Sequence, residues 1–546
     1  MTNLLIPGRH LITTQFMVDY LAEVLDKGIS DTDTVGEWSG KGAIDHIIIP
    51  ITSANQHGSR YNPVPLYARL IGLERTLSPF RSKYGVRISY VPVPHFRTTD
   101  DFSSHIIKYV QAHVNEVVDK DTTVIWTSTK ALIDRYSELG YVVLPAEWDF
   151  EKNEYKDLPP NEIISPLATI SDYMKLPEYD LLSEATKTVW EDMPEIPEHI
   201  VRLYTDPLLT EDGSLTEDRN YATYSVGMSH SVLMDVKFGD IKNAVTEGKI
   251  VDEGCADGAL MVRLAEAFRD SDIIGIDITG EFISRVEERQ RAGEFGGSFM
   301  FVYQRNLLQP IFEPASIDTT ICNSTLHELW SYGDQEKSVV GYLREKYRQL
   351  APGGRLVIRD VVGPENKEDI VYMKLSSVDG ESLDPTDTKA LMGADTSTLS
   401  TETLFYRFAH DFMHDLRETG RRDDSTKLQF ETESIDDVTY FKLRRKDAVE
   451  FLSRKDYHDN WASEMNEEFA FWDFGEWTEA LTSVGFQIVH EDAVEPTFSK
   501  AYVNKWIVEN RWQPCATIYK KNVEGKLVEQ PYPVTNMVLV GEKPLV

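Results

Sequence analysis

The sequence predicts an α/β protein of two domains, each built on a parallel sheet, and three observations predict it. A chain of 546 residues is longer than one ordinary core organises. Near-continuous apolar runs alternate with amphipathic helical patterns, as they do when strands are buried on both faces. That alternation occurs twice, on either side of an acidic, proline-punctuated stretch from about Glu151 to Asp218.

The first series has strands at Ile44 to Ile51, Val86 to Val93, Thr122 to Trp126 and Tyr141 to Leu144, with helices at Phe16 to Leu25, Val64 to Leu77 and Lys130 to Glu138. The second begins near Tyr221. Its strands are expected at Lys249 to Asp252, Ile273 to Asp277, Phe299 to Tyr303, Asp318 to Cys322 and Arg355 to Arg359. Between Pro364 and about Phe469 the alternation stops, and polar loops with amphipathic helices such as Glu402 to Leu416 are expected. It resumes with a helix at Phe474 to Val484 and strands at Phe486 to Glu491 and Asn536 to Gly541. The expected organisation is a domain over 1–170, a connector over 171–219 and a domain over 220–546 that carries an insertion at 364–469.

Composition excludes several classes of function. The hydrophobic fraction of 41% supports real cores rather than disorder. A formal net charge of -34 repels phosphate backbones, so nucleic acid is not an expected partner. Cys255, Cys322 and Cys515 make neither a disulfide framework nor a metal-type cysteine pair. The first residues lack a basic region followed by a long apolar one, and no run approaches the roughly 20 apolar residues of a membrane span. A soluble, cytoplasmic chain without a membrane partner is the expectation.

The chemistry starts at Ile250-Val-Asp-Glu-Gly-Cys-Ala-Asp-Gly-Ala259, an apolar strand followed by a small-residue turn and a helix from Leu260 to Phe268. Small residues let backbone approach a ligand closely, and a helix N-terminus favours a negative group. The next strand ends in Asp277, about 20 residues on, where an acid reaches ribose hydroxyls. Spacing and strand end favour that role over a helix cap.

These residues resemble the class I S-adenosylmethionine-dependent methyltransferases, whose first motif reads Asp-x-Gly-x-Gly-x-Gly and whose second strand ends in an acid. Asp252, Gly254 and Gly258 match the motif, and Ala256 stands in for its middle glycine. Leu350-Ala-Pro-Gly-Gly-Arg355 resembles the family's turn before the fifth strand, and the elements after Phe474 resemble its last helix and closing antiparallel pair. The resemblance implies a Rossmann-like, seven-stranded sheet over roughly 220–546 that binds S-adenosylmethionine. It implies contacts from Asp252, Gly254, Cys255, Ala256, Gly258, Asp277 and Ile278, from Asn306 and Leu307 at the adenine, and from Asn323 at the methionine end. In its fourth-strand exit, Asn323-Ser-Thr-Leu-His-Glu328, His327 and Glu328 are candidate bases; Asp360 is an alternative. His410 and His414 share a helical spacing but lack an evident third ligand, so no metal is expected. The insertion is expected to form the lid over a small-molecule or nucleotide-like acceptor.

In the first domain, Leu5-Ile-Pro-Gly-Arg-His10, Ile49 to His57, and Arg60-Tyr-Asn-Pro63 follow one another in the order seen in nicotinamide mononucleotide adenylyltransferase-like nucleotidyltransferases, which they resemble. That resemblance implies a second Rossmann-like domain. The family's paired histidines and its later arginine are missing, so the expected role is binding or scaffolding, with Gly8, Arg9, His10, His57 and Arg60 as the ligand site. Two other functions stay open at this level: a bifunctional nucleotidyltransferase and methyltransferase, and a non-catalytic cofactor-binding scaffold. The acceptor and the oligomeric state are not encoded in any motif.

Overall fold

Each apolar run of the first series is a strand in the computed structural model, buried except at Arg87–Pro92, and the structure describes every residue except 1, 41–42, 96–101, 116, 156–157, 170–171, 220, 222–230, 490–497 and 546. The chain divides into two compact units, Met1–Ser214 and Leu215–Val546. In the first, β1 (Thr2–Leu5), β2 (Ile44–Ile51), β3 (Arg87–Pro92), β4 (Thr123–Trp126) and β5 (Val142–Leu144) form a wholly parallel sheet in the order β3-β2-β1-β4-β5. A short hairpin, β6 (Trp148–Asp149) with β7 (Glu154–Tyr155), follows. Ile47, Ile48 and Ile49 are fully buried, and each such side chain contributes roughly 1.5–3 kcal/mol of transfer free energy. Of the expected connector, helices Glu184–Asp192 and Glu195–Thr205 lie in this unit, burying Trp190, Ile196 and Ile200.

The second unit opens with β8 (Lys249–Glu253), β9 (Asp272–Asp277), β10 (Met300–Gln304), β11 (Ile317–Asn323) and β12 (Leu350–Val361). Next come β13 (Ile370–Leu375), β14 (Phe430–Ile435) and β15 (Val438–Arg444). The last strands are β16 (Gln487–Ile488), β17 (Lys500–Tyr502), β18 (Ala516–Lys521), β19 (Leu527–Glu529) and β20 (Asn536–Glu542). The main sheet runs β10-β9-β8-β11-β12-β20-β16, with β17 also paired to β20. β8 to β12 are mutually parallel; β20 is antiparallel to β12, with Val357 opposite Val540. Among the described residues the sheet therefore has eight strands, where seven were expected. Residues 490–491 of the strand expected at Phe486 to Glu491 lie outside the described residues. The last helix, Phe474–Val484, starts in a capping box of Asp473 and Glu476 and ends at Gly485 in the left-handed conformation.

The insertion differs from expectation. It contains its own antiparallel sheet, β14-β15-β13-β18-β19, and two of those strands come from beyond residue 469. Its solvent face carries charge pairs such as Lys442 with Glu431 and Lys521 with Glu433, so β14 and β15 alternate in polarity and lack the apolar runs that mark buried parallel strands. Its other face, which carries Phe441, packs on Phe405, Phe408 and Phe451. The helix expected over Glu402 to Leu416 is two, Thr401–Asp411 and His414–Glu418. Met413 adopts φ 55° and donates its N–H to Met465 O at 2.8 Å, which takes the backbone out of the helix. Among the described residues no helix is long and apolar enough to cross a membrane.

Candidate active site

The chain proceeds outward from β8 through β9 to β10, then returns to the other side of β8 with β11. The carboxyl ends of β8 and β11 therefore border a crevice of the kind that receives ligands in open α/β sheets. The turn after β8 is shaped by three left-handed residues, Gly254 (φ 72°), Ala256 (φ 46°) and Gly258 (φ 80°). At Gly254 a Cβ would lie 2.2 Å from Thr325 Oγ1, so only glycine fits between β8 and the loop after β11. Gly254 and Cys255 donate their N–H groups to Ile276 O at 2.8 and 3.0 Å, tying the turn to β9.

Asp277, at the end of β9, accepts from Ala256 N at 3.0 Å through Oδ2 and from Thr279 N at 2.8 Å through Oδ1. Burial raises its pKa to about 6 against those two stabilising hydrogen bonds. Asp252 is also buried; burial and then Asp277 raise its pKa to about 7, and its Oδ2 has no hydrogen-bond partner. Cys255 is buried, and burial pushes its thiol pKa up, so it lines the turn as an inert small residue. Ile278 follows Asp277, and its carbonyl accepts from Gln304 Nε2 at 2.9 Å. Asn306 and Leu307 are buried just past β10, where Asn306 Oδ1 accepts from Leu308 N at 3.0 Å. Asn323 ends β11. These ten residues thus sit along one edge of the sheet. A buried carboxylate oxygen without a partner, beside a turn with no room for side chains, fits a ligand that brings hydrogen-bond donors, as the ammonium and ribose hydroxyls of S-adenosylmethionine do.

Beyond Asn323 the short helix Leu326–Tyr332 brings a second group together. Asp360, at the end of β12, accepts from Leu326 N at 2.8 Å and Thr325 N at 3.2 Å with one oxygen, and from His327 Nδ1 at 2.7 Å with the other. Burial alone lowers the His327 pKa. Asp360, with Glu467 and Glu328 behind it, outweighs burial and raises it to about 9, while the Asp360 pKa is lowered by His327 against its own burial. The imidazole therefore carries a proton at neutral pH.

Glu328 accepts from Arg219 Nη1 at 2.6 Å, and the other end of that guanidinium pairs with Glu467. His327 Nε2 stands 3.5 Å from Glu467 Oε2. Tyr332 Oη donates to Glu467 at 3.4 Å, and the Phe469 ring meets His327 edge-on at 4.8 Å. The insertion clamps this helix from outside. Arg422 donates to Trp330 O at 3.1 Å and Ser331 O at 2.7 Å, placing a cation at the helix C-terminus, and Glu468 accepts from Trp330 Nε1 at 2.9 Å. Trp330 stacks on Phe471 at 4.2 Å and meets Trp472 at 5.4 Å, so these aromatic rings pack around the helix.

Sequence reasoning missed Arg219, Glu464 and Glu467. The available signal was the acidic run within Trp461-Ala-Ser-Glu-Met-Asn-Glu-Glu-Phe469, where acids interrupt an otherwise buried aromatic stretch. The pair His410 and His414 stacks at 5.2 Å between ring centroids, and both rings are partly exposed beside aspartates.

In the first unit, Gly8, Arg9 and His10 lie just past β1. Gly8 bridges to Ile51. Arg9 Nη1 donates to Tyr61 O at 2.5 Å, and burial lowers its pKa. His10 bonds Ile6 O at 2.9 Å through Nε2, and burial lowers its pKa to about 4. Arg60 donates to Leu203 O and Leu209 O, and His57 O accepts from His199 Nε2. Arg69, fully buried, donates to Arg9 O, Thr52 O and Ser53 O and so joins the loops after β1 and β2.

Residues 245–400 match the family model described as a methyltransferase domain. A search of curated proteins gives no match. Similar solved structures include a Methanosarcina mazei S-adenosylmethionine-dependent methyltransferase, at 15% identity over 56% of this chain and 97% of that one, TM-score 0.27. A Thermotoga maritima methyltransferase described as a possible histamine N-methyltransferase is similar at 13% identity over 60% of this chain and 97% of that one, TM-score 0.29. Streptomyces coelicolor geranyl diphosphate C-methyltransferase, solved with Mg2+, geranyl diphosphate and S-adenosyl-L-homocysteine, is similar at 16% identity over 29% of this chain, TM-score 0.22; the match spans 56% of that protein. None of these likenesses carries the reading, which rests on the matched domain and on the edge of the sheet where Asp252 and Asp277 meet the glycine turn. Residues 245–400 of the second unit thus match a methyltransferase domain.

Proposed function

We propose that the second unit binds S-adenosylmethionine across the carboxyl ends of β8 to β11 and passes its methyl group to a small-molecule or nucleotide-like acceptor. One observation carries the reading: Asp277 is held by Ala256 N and Thr279 N beside the turn, 21 positions from Ala256 in sequence. In this reading Gly254, Cys255, Ala256 and Gly258 pass backbone against the cofactor, and Asp252 receives its ammonium. Asp277 and Ile278 hold the ribose, Asn306 and Leu307 the adenine, and Asn323 the methionine end. Asp277→Ala is expected to weaken S-adenosylhomocysteine binding at least about 10-fold by calorimetry, while circular dichroism shows the fold retained. Unchanged affinity in that variant would sink the assignment.

Methyl transfer from a sulfonium is an in-line displacement: the acceptor–carbon bond forms as the sulfur–carbon bond breaks, leaving S-adenosylhomocysteine. Alignment carries most of the rate. Candidates at the methyl end are His327, Glu328 and Asp360. Because His327 is protonated at neutral pH, it positions groups in this reading, and proton uptake from an acceptor falls to the carboxylates that face it. The insertion supplies the acceptor side. The first unit serves as a binding or scaffolding module, a role supported by the parallel order of its sheet with Gly8 to His10 at the carboxyl end of β1.

A further inference from the structure

We propose that His327, Glu328 and Glu467 form a binding site for a divalent cation at the start of the helix Leu326–Tyr332. One ligand atom from each residue lies within 4.8 Å of the others. Asp360 accepts the Nδ1–H of His327 at 2.7 Å, which directs Nε2 at Glu467 Oε2, 3.5 Å away, and a cation bound there would replace the Nε2 proton. A carboxylate that fixes one imidazole nitrogen while the other faces a second carboxylate is the arrangement by which proteins orient metal-bound histidines. Arg219 engages Oε1 of both glutamates and leaves Oε2 of each for a cation.

A second observation points the same way. Glu464, on the helix Trp461–Glu464, is 3% exposed, and its Oε2 has no hydrogen-bond partner. Its carboxylate interacts electrostatically with Glu467, Arg219 and His327, so it belongs to the same cluster. Five buried or half-buried carboxylates, Asp360, Glu328, Glu450, Glu464 and Glu467, thus face two guanidinium groups, Arg219 and Arg454, and one imidazole. Burying excess like charge costs free energy, and a divalent cation removes most of that excess. One nitrogen and two carboxylate oxygens suit Mn2+, Fe2+ or Zn2+ rather than a soft thiolate metal. That the site adjoins the methyl group rests on the proposed cofactor reading. There the metal would hold an acceptor oxygen and lower the pKa of its hydroxyl.

The test uses the full chain, stripped with a chelator and titrated with MnCl2 alone. Calorimetry is expected to give one Mn2+ per chain, and pulsed electron paramagnetic resonance a nitrogen coupling from one imidazole. Glu328→Gln and Glu467→Gln are each expected to weaken binding by at least about 10-fold. Absent binding, a bound Mn2+ without nitrogen coupling, or an affinity in both variants unchanged from that of the unsubstituted protein overturns the site. The nitrogen coupling is read on the unsubstituted protein, so a variant that fails to fold leaves the test intact. Titration of the same samples with S-adenosylhomocysteine separates the two readings, because either ligand can bind without the other.

Discussion

Asp360 joins two tasks in one carboxylate: Oδ1 accepts from His327 Nδ1 at 2.7 Å, and Oδ2 caps the first turn of the helix that carries His327. Replacing it with asparagine keeps the shape but removes the charge that both tasks use. Asp360→Asn is expected to destabilise the second unit by about 3 kcal/mol, since it strips a buried charged partner. It also lowers the His327 pKa from about 9, which the imidazole 13C shift follows on titration. An unchanged titration would remove Asp360 as the cause.

The raised His327 pKa has a consequence for stability. The folded chain keeps this proton up to about pH 9, whereas an unfolded histidine loses it near its ordinary value of 6.5. Its stabilisation is therefore complete below pH 6.5 and is lost as pH rises through 9. The melting temperature is expected to fall over that window, and His327→Gln should flatten this part of the profile. A wild-type profile identical to that of the variant would contradict it.

Gly254 and Ala256 predict opposite outcomes within one turn. Gly254→Ala places a Cβ 2.2 Å from Thr325 Oγ1 at a φ of 72°, and a loss of about 2 kcal/mol together with cofactor binding is expected. Ala256 already sits at φ 46°, so Ala256→Gly relieves left-handed strain and is expected to gain up to about 1 kcal/mol. Denaturant melts of the two variants check both signs.

Behind β8, Glu253 pairs with Lys346 and accepts from Tyr342 Oη at 2.6 Å, all three fully buried. Lys346→Met leaves a buried carboxylate without its cation and is expected to cost about 3–5 kcal/mol. The double variant Glu253→Leu, Lys346→Met is expected to recover much of that loss. A double variant no more stable than the single one would show that the pair is not the source.

The strands that hold the cofactor edge were legible because short segments rich in apolar and β-branched residues alternate with helical patterns, and the turn after β8 because its small residues are contiguous. The break at Met413 was not, since Phe412 and Met413 keep the helical spacing and only a hydrogen bond to Met465, far along the chain, stops the helix. The strands β14 and β15 were missed for a related reason: one face is wet and charged, so their short alternation reads as loop.

By itself the sequence determined the parallel sheets, the left-handed turn and the acid at the end of β9, because burial phase and backbone conformation are written in neighbouring residues. The cluster around His327 was decided by tertiary structure alone. Arg219 and Glu467 stand 248 positions apart, and Asp360 and His327 come from different elements. Nothing in their local patterns specifies that they meet; the meeting follows from β11 and β12 lying side by side and from the insertion packing over the helix between them.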